Sequence, residues 1–514
     1  MNTTSRCSIN IFPIIIKTSF AEDGFKQCEH TVKHWASTSS LDSEIKEDKH
    51  LLRDLLFFLH IPRTGGRAYF QCFLMKLYSH SQQCPRSYDK LRVDPRKPNC
   101  RLLSSHDDFS MTYKLPKEKT SAVTILRNPV ERVLSAYEFS VEVAARYLKH
   151  PNLTYVEKMF RQPSPKGPGV STLEIWPWKY LVPWMIEDLF ARRDARKHRG
   201  QLYTITNNSY NMEEILMPLH EYINEPIVQD IVHNGATFQI AGLTNNSYLM
   251  ESHEVRHCVL KYPTLGKSVL EVAKKRLDDM LFVGFTENHN ESASMFANVV
   301  GAQVISQLST LSSNRDVANN SDSEQSSLLL DSRKVANYQI NDTSKKVKKV
   351  SSIDMDEAEN KNMNVRELLE EYESCISNVW NSQKERRAKS MQHISPANFT
   401  KEARRQVPKV LIQKITSLNS LDMELYNYGR SIFLKQQARV MQNMVDTKRQ
   451  ETALIESAYI ISYGSPSWKV LSLGTADLKR DRTKRDSSVA LELLERTSVV
   501  ACPLTHLYQN ICIN

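Results

Sequence analysis

Two short segments carry the residues best suited to chemistry. In the first, residues 55–69, an apolar run is followed by Pro62-Arg63-Thr64-Gly65-Gly66-Arg67-Ala68. In the second, residues 122–137, an apolar run ends at Arg127-Asn128-Pro129. Each segment is predicted to form a buried strand, a polar turn and the start of an amphipathic helix, which is how α/β folds build anion sites. Two such sites predict a ligand with two phosphate-like ends.

The first turn is suited to hold an anion against the backbone. Thr64, Gly65 and Gly66 lie where the chain must bend sharply, and glycine has no Cβ to keep an anion away from the amides. Arg63 and Arg67 flank the turn with positive charge. The dipole of the following helix also favours an anion there. The turn lacks the Gly-Lys-Ser/Thr ending of a nucleoside-triphosphatase P-loop, so that class is disfavoured.

The second turn is suited to a terminal phosphate. Asn128 is predicted to cap a helix whose first residue is Pro129. Ser135 then lies about two turns along this helix from Arg127. An arginine fork and a hydroxyl near a helix start form a compact phosphate site. A structural salt bridge with a helix cap has the same local pattern, but the presence of the first segment favours the phosphate interpretation.

A candidate general base lies between the two segments. Ser104-Ser105-His106-Asp107-Asp108 follows the apolar pair Leu102 and Leu103. A histidine at a strand end is suited to accept a proton, and acidic neighbours are expected to raise its pKa. An ordinary polar loop residue is the alternative when composition alone is considered.

Taken together, the Pro-x-Thr-Gly-Gly and Arg-x-Pro-x-x-Arg-x-x-Ser segments resemble the two cofactor motifs of lumenal sulfotransferases. The resemblance is to the heparan sulfate 6-O-sulfotransferase-like family and, within it, to the plant tyrosylprotein sulfotransferase group. It extends over residues 20–440. Its further hallmark stretches are Glu22-Asp23-Gly24 with Cys28, Ile175–Met185 and Asn234–Asn246.

This resemblance implies an α/β, P-loop-like sulfotransferase fold with a central parallel sheet and flanking helices. The implied co-substrate is 3′-phosphoadenylyl sulfate, with no metal required. Its 5′-phosphosulfate would be held by Arg63, Thr64, Gly65, Gly66, Arg67 and Ala68, and its 3′-phosphate by Arg127 and Ser135. His106 would be the catalytic base, and Arg63 would neutralise charge on the donor's bridging oxygen. The heparan enzymes have a lysine at the position of Arg63, and a guanidinium does not readily give up a proton, so its role is expected to be electrostatic.

The implied reaction is sulfation of tyrosine hydroxyls in acidic, secreted peptide or protein precursors, as in peptide hormone maturation, in the Golgi lumen or at the Golgi membrane. A carbohydrate O-sulfotransferase of the heparan sulfate 6-O type is the alternative, with the same donor site and base. A third hypothesis is a lumenal binding protein with a vestigial nucleotide fold. Trp176 and Trp178 are candidates for a wall of the acceptor pocket, since flat apolar surfaces suit a tyrosine ring. Core packing of an irregular loop is the other explanation for these tryptophans.

Composition agrees with an enzyme of the secretory pathway. The 514 residues carry a net charge of +10 with a pI near 9.0, which favours acidic partners. RNA-binding motifs, zinc-finger spacings and heptads are lacking, so nucleic acid is not expected as a partner. The nine cysteines form no Cys-x-x-Cys pair and predict disulfides, with Cys84 and Cys100 a reasonable pair. Glycosylation sequons, expected in a glycoprotein, lie at Asn2, Asn152, Asn207, Asn245, Asn290, Asn319, Asn341 and Asn398.

The chain is predicted to hold one catalytic domain with an insertion. Residues 1–50 are a leader with an N-terminal helix, 51–305 the sulfotransferase domain, 306–362 a disordered insertion rich in Ser, Asn, Asp and Lys, 363–440 the helical C-terminal part of the domain, and 441–514 a tail of uncertain structure. The apolar run Ile9–Ile16 is short and contains Pro13, which makes a poor signal peptide. A membrane anchor of about eighteen apolar residues is not found in the chain.

Overall fold

A parallel sheet lies at the centre of the fold. The computed structural model describes residues 13–41, 49–85, 100–161, 171–199, 208–319 and 363–463. Within them the strands are β1 (Leu55–Leu59), β2 (Leu102–Ser105), β3 (Thr120–Leu126) and β4 (Phe282–Phe285). They pair in the order β2-β1-β3-β4, every pair parallel. The strands are formed by apolar runs, as the sequence predicted, and nearly all of their residues are buried.

Helices connect the strands and cover both faces of the sheet. In the first part of the chain they are α1 (Pro13–Leu41), α2 (Gly66–Tyr69), a π-helical turn (Phe70–Leu74), α3 (Met75–Leu77), α4 (Pro129–Ala145), α5 (Leu153–Arg161) and α6 (Trp178–Arg199). Next come α7 (Leu219–Tyr222), α8 (Gln229–Val232), α9 (Gly235–Ile240), α10 (Ser252–Lys261), α11 (Gly266–Asp278), α12 (His289–Phe296), a second π-helical turn (Ala297–Gly301) and α13 (Ala302–Asn319). The last are α14 (Val365–Met391), α15 (Lys401–Arg405), α16 (Lys409–Leu418) and α17 (Ser420–Tyr463). Short 3-10 turns are His80–Gln82, Phe109–Lys114, Lys117–Lys119, Thr172–Glu174, Pro226–Val228, Pro263–Leu265 and Gln392–Ile394. The predicted α/β sulfotransferase architecture is confirmed.

Disulfides link parts of the chain that lie around the sheet. Cys84 is bonded to Cys100, which confirms the predicted pair. Cys28–Cys258 ties α1 to α10, and Cys72–Cys375 ties the first π-helical turn to α14. The second half of α1 also buries Val32 and Trp35 in the core around the sheet. The second half of this helix therefore packs with the core around the sheet, and the leader over residues 1–50 stays a prediction.

The described chain continues past residue 306, where the predicted insertion begins. Helix α13 extends to Asn319, and Ile305 and Leu308 pack against the core. Residues 320–362 lie outside the described part of the chain, and the insertion over 306–362 stays a prediction. After it the chain is helical in α14, α16 and α17.

The chain divides into two compact units. The first unit ends at Asp446, and of the second, residues 447–514, the structure describes residues 447–463 as the final part of α17. None of the helices in the described ranges combines the length and the apolar character that crossing a membrane requires.

Candidate active site

Three neighbouring strands bring the predicted catalytic residues to one edge of the sheet. Leu59 is level with Ser105 of β2 on one side and with Thr124 of β3 on the other. His106 follows β2 directly and Arg127 follows β3 directly. Because carboxyl ends of parallel strands share an edge, these residues meet the loop after β1. The two turns therefore lie at the same edge of the sheet.

The loop after β1 is a tight turn held from inside. Arg63 and Gly65 both have positive φ, 68° and 78°. The hydroxyl of Thr64 donates to the carbonyl of Ile61 at 2.9 Å, and the Thr64 carbonyl accepts a hydrogen bond from the Thr286 hydroxyl at 2.6 Å. Thr64 is 1% exposed, so its role here is to shape the turn. The turn leads into α2, where Ala68 N donates to Gly65 O at 3.0 Å. Binding of an anion at this turn stays a prediction.

Gly66 is required because a histidine ring packs against it. A Cβ at this position would lie 2.5 Å from His60 Cδ2 and 2.9 Å from Phe58 Cζ. We expect Gly66→Ala to destabilise the protein by about 1–3 kcal/mol, the usual range for an overpacked site, and to weaken donor binding. Chemical denaturation measures the first effect. Gly24→Ala, where the nearest atom is the side-chain oxygen of Tyr262 at 3.3 Å, is the matched control. A Gly66→Ala protein as stable as that control would show that the His60 ring is not fixed at the turn.

His60 and His106 form a stacked pair beneath the turn. Their ring centroids are 4.3 Å apart with an interplanar angle of 28°. Burial first, and then the charges of Arg63 and Arg67, lower the pKa of His60 to about 3. Burial, His60 and Arg63 lower the pKa of His106 well below 6.5. Both imidazoles are therefore neutral at pH 7, and a neutral imidazole can accept a proton.

The prediction that acidic neighbours raise the pKa of His106 is wrong. Asp108 accepts hydrogen bonds from the Thr244 amide and hydroxyl at 2.9 and 2.8 Å, and from the Ser110 amide at 3.0 Å. Asp107 accepts one from the side-chain amide of Asn246. Both carboxylates are thus used to shape the loop, and burial beside cations decides the protonation of His106.

The hallmark stretch Asn234–Asn246 supports the loop after β2. Thr244 and Asn246 hold the aspartates, and Gln239 Nε2 donates to the carbonyl oxygen of His106 at 2.9 Å. These supporting residues were not identified from the sequence. A run of hydroxyl and amide side chains in an otherwise apolar stretch is the signal that points to them.

The second segment matches its predicted capping. Asn128 Oδ1 accepts from the amides of Val130 and Glu131 at 3.1 and 3.3 Å, and Pro129 begins α4. Arg127 Nη1 donates to the carbonyl of Arg63 at 3.1 Å. The two predicted anion loops are therefore in direct contact.

Arg63 links these loops to Ser135. Its Nε donates to Ser135 Oγ at 3.0 Å, and its guanidinium lies 4.3 Å from the ring centre of Phe139. Burial, followed by the charge of Arg127, lowers the pKa of Arg63 to about 10. Arg63 therefore remains a cation at neutral pH, which agrees with an electrostatic role.

An ion-pair cluster that the sequence did not predict borders Arg127. Glu138, 1% exposed, accepts from Arg404 at 2.6 and 2.8 Å, from Arg387 at 2.8 Å and from the Tyr210 hydroxyl at 2.7 Å. The sequence held a signal for this cluster, because polar residues recur on one face of α4 at three- and four-residue spacing: Glu131, Ser135, Glu138 and Glu142. Arg387 lies on α14 and Arg404 on α15, and no local sequence pattern connects these two residues to the site.

The remaining predicted site residues lie around this centre. Arg67 is exposed and lines a cleft of about 550 Å³ with Gln71 and Arg386, between α2 and α14. Ala68 is 7% exposed in the same helical turn. The part of these two residues in holding the phosphosulfate stays a prediction.

Trp176 and Trp178 are buried. Their exposed fractions are 2% and 3%, and Trp178 packs edge-on against Phe139 with ring centres 4.7 Å apart. Trp178 thus supports the ring on which Arg63 rests. A direct contact of either indole with the acceptor stays a prediction.

Metal-ligating side chains do not gather at this edge. In the described ranges, no three His, Cys, Asp or Glu side chains come together as a metal site would need. The expectation that no metal is required stays a prediction.

The histidine pair makes the fold sensitive to acid. The unfolded chain takes up a proton at His60 near pH 6.5, the folded protein only near pH 3, so the stability from this residue is present above pH 6.5 and is lost as pH falls toward 3. We expect His60→Phe, which keeps a ring in place, to show a smaller fall in unfolding free energy between pH 7 and 4.5 than the wild type. Denaturant titrations at both pH values measure it. His220→Phe, at an exposed histidine, should behave as the wild type, and an unchanged His60→Phe profile would contradict the assignment.

Comparison with known proteins agrees with this geometry. No family model matches the chain. Over 454 residues it is 52% identical to a protein of Arabidopsis thaliana named protein-tyrosine sulfotransferase, and the match covers 88% of this chain and 89% of that protein. The resemblance to the plant sulfotransferase group is confirmed. With half of the aligned residues identical over nearly its whole length, the chain belongs to the protein-tyrosine sulfotransferase family.

Proposed function

We propose that the chain is an enzyme that moves a sulfuryl group from 3′-phosphoadenylyl sulfate to tyrosine hydroxyls of secreted peptide or protein precursors. The observation that carries this proposal is the meeting of Arg63, Arg127 and Ser135 beside the buried, neutral His106. A cationic pair with a hydroxyl suits a phosphorylated donor, and a neutral imidazole suits a protonated acceptor. The Arabidopsis relative, named for tyrosine sulfation, supports the choice of acceptor.

The two anionic ends of the donor bind at different turns. Residues 63–68 hold its 5′-phosphosulfate through the turn and the start of α2, where backbone amides and Arg63 favour negative charge. Arg127 and Ser135 hold its 3′-phosphate. The direct contacts of Arg63 with Arg127 and Ser135 support this division, because a donor with two anionic ends needs its two binding turns close together.

The transfer is an in-line displacement at sulfur. The phenolic oxygen of the acceptor forms a new O–S bond while the bond from sulfur to the 5′-phosphate oxygen breaks, and that oxygen keeps the electron pair. The leaving group is 3′-phosphoadenosine 5′-phosphate, whose developing charge Arg63 stabilises. His106 takes the phenolic proton, so sulfated tyrosine and protonated imidazole are formed together.

We place this reaction in the Golgi lumen, where it would serve the maturation of acidic peptide hormones. Three disulfides in the described residues support an oxidising compartment. The sequon residues Asn152, Asn245, Asn290 and Asn398 are exposed, as glycosylation requires.

Acceptor competition tests this function. The full-length protein is incubated with the donor and with an Asp-Tyr peptide, the matching Asp-Phe peptide and desulfated heparan in parallel. We expect sulfate on the tyrosine peptide alone. Transfer to heparan would replace the proposal with the carbohydrate alternative. Transfer to no acceptor, together with a failure to bind 3′-phosphoadenosine 5′-phosphate, would favour a binding protein with a vestigial site.

A further inference from the structure

Arg127 and Arg404 converge on one oxygen atom of Glu131. Arg127 Nη2 lies 3.5 Å from Glu131 Oε2, and Arg404 Nη1 donates to the same atom. The two arginine side chains are only 17% and 19% exposed, so both cations are largely withdrawn from water. Like charges this close repel each other, and an anion between them relieves the repulsion.

Arg404 is held in place without the help of Glu131. Its Nε and Nη2 donate to the two oxygens of Glu138 at 2.6 and 2.8 Å, a bidentate pair with a buried carboxylate. Burial alone would lower the pKa of Arg404, but the hydrogen bonds and charge of Glu138 raise it overall. Arg404 therefore presents a fixed and permanently charged Nη1 to the position of the Glu131 carboxylate.

Glu131 is more exposed to water than the two arginines that it bridges. Its side chain is 42% exposed, and its contact with Arg127 is long at 3.5 Å. It lies in the first turn of α4, and Ser135 is its neighbour one turn further on the same helix face. The position of its carboxylate is thus bounded by Arg127, Arg404 and the helix face that carries Ser135.

We propose that Arg404 is a further ligand of the donor's 3′-phosphate, and that the Glu131 carboxylate occupies the phosphate position until the donor displaces it. The proposal rests on the proposed function, which assigns this phosphate to Arg127 and Ser135. A phosphate carries more charge than a carboxylate and has three terminal oxygens, so it satisfies both guanidiniums and the hydroxyl at once. The exposed Glu131 then turns toward water.

The test compares two ligands that differ only in the 3′-phosphate. Binding of adenosine 3′,5′-bisphosphate and of adenosine 5′-monophosphate to the full-length protein is measured by calorimetry. Arg404→Gln is expected to weaken bisphosphate binding about tenfold to a hundredfold and to leave monophosphate binding within about twofold. Arg405→Gln, the same charge change at the adjacent exposed residue, is the matched control and is expected to leave both affinities unchanged. Glu131→Gln, which removes the competing charge, is expected to bind the bisphosphate at least as tightly as the wild type.

The outcomes separate this proposal from the function on which it rests. A wild type that does not prefer the bisphosphate contradicts the assigned 3′-phosphate site itself. If the wild type does prefer it but Arg404→Gln keeps the same ratio of affinities, Arg404 is only structural. If Glu131→Gln bound the bisphosphate more weakly than the wild type, the proposal that the donor displaces the Glu131 carboxylate would be overturned. Should Arg404→Gln fail to fold in a thermal melt, Arg404→Lys keeps the charge toward Glu138, but its single nitrogen cannot pair with Glu138 and leave a second nitrogen for the phosphate. An unchanged affinity ratio in that variant overturns the proposal.

Discussion

His106→Ala is expected to lower kcat by about 10²–10⁴, the usual contribution of a positioned general base. A phenol with a pKa of about 10 is mostly protonated at neutral pH and must lose its proton as the sulfuryl group arrives. Donor binding should stay within a few fold, because the imidazole is assigned to the acceptor. Steady-state kinetics with an Asp-Tyr peptide measures kcat, and calorimetry with adenosine 3′,5′-bisphosphate measures donor binding.

The pH profile of the wild type provides an independent check of this role. The base must be neutral, and the pKa of His106 is lowered well below 6.5 by burial, His60 and Arg63. Activity should therefore persist below pH 6.5, where an ordinary histidine would already be half protonated. Parallel loss of donor binding in His106→Ala would make the residue structural. A near-normal kcat would exclude it as the base, and the hydrogen bonds of Asp107 and Asp108 make these two weak substitutes.

Asp422→Ala is expected to destabilise the protein by about 3–5 kcal/mol, because it leaves a buried guanidinium without its carboxylate. Asp422 is bonded to Arg132 at 2.7 Å, and the two side chains are 1% and 2% exposed. The same carboxylate accepts from Thr237 N and Oγ1, both at 2.7 Å, and from Ala236 N at 3.2 Å. Such a loss is a large part of the 5–15 kcal/mol that stabilises a typical domain. Chemical denaturation of the purified variant measures it.

Glu424→Ala is the matched control for this variant. Glu424 pairs with Lys274 at 2.8 Å two residues further along α17, but its side chain is 60% exposed. An exposed pair contributes about 1 kcal/mol or less, so the control should unfold nearly as the wild type does. If the two variants were equally stable, the bonds of Asp422 would not be what joins α17 to α4 and α9.

The sequence was a good guide wherever the chain is locally regular. The runs ending at Leu59, Ser105 and Leu126 form three of the four described strands of the sheet, and the residues after them carry the proposed chemistry. Their turns have glycine, proline and asparagine at positions where backbone geometry restricts the choice of residue. The same local rules predicted the cap at Asn128 and the short disulfide loop between Cys84 and Cys100.

The features that the sequence did not predict correctly are contacts between distant parts of the chain. The pKa of His106 was misjudged because sequence neighbours were taken as spatial neighbours, whereas His60 stacks on it through the register of β1 and β2. Arg387 and Arg404 were missed because their partner Glu138 lies in α4, far earlier in the sequence. Arg387 and Arg404 lie on helices far from α4 in the sequence, so only the folded arrangement shows that they meet Glu138.

The pairing of Glu138 with Arg404 also sets an order of events during biosynthesis. The two residues are 266 positions apart, so at about 5–20 residues per second a ribosome needs roughly 13–53 seconds to supply the arginine after the glutamate. Until then Glu138 is a carboxylate whose burial is unfavourable. The nascent domain should therefore keep this face of α4 hydrated until Arg404 has been translated. A chain released before that point would lack the arginine that completes the cluster, so catalytic competence should arise only after residue 404 has been made.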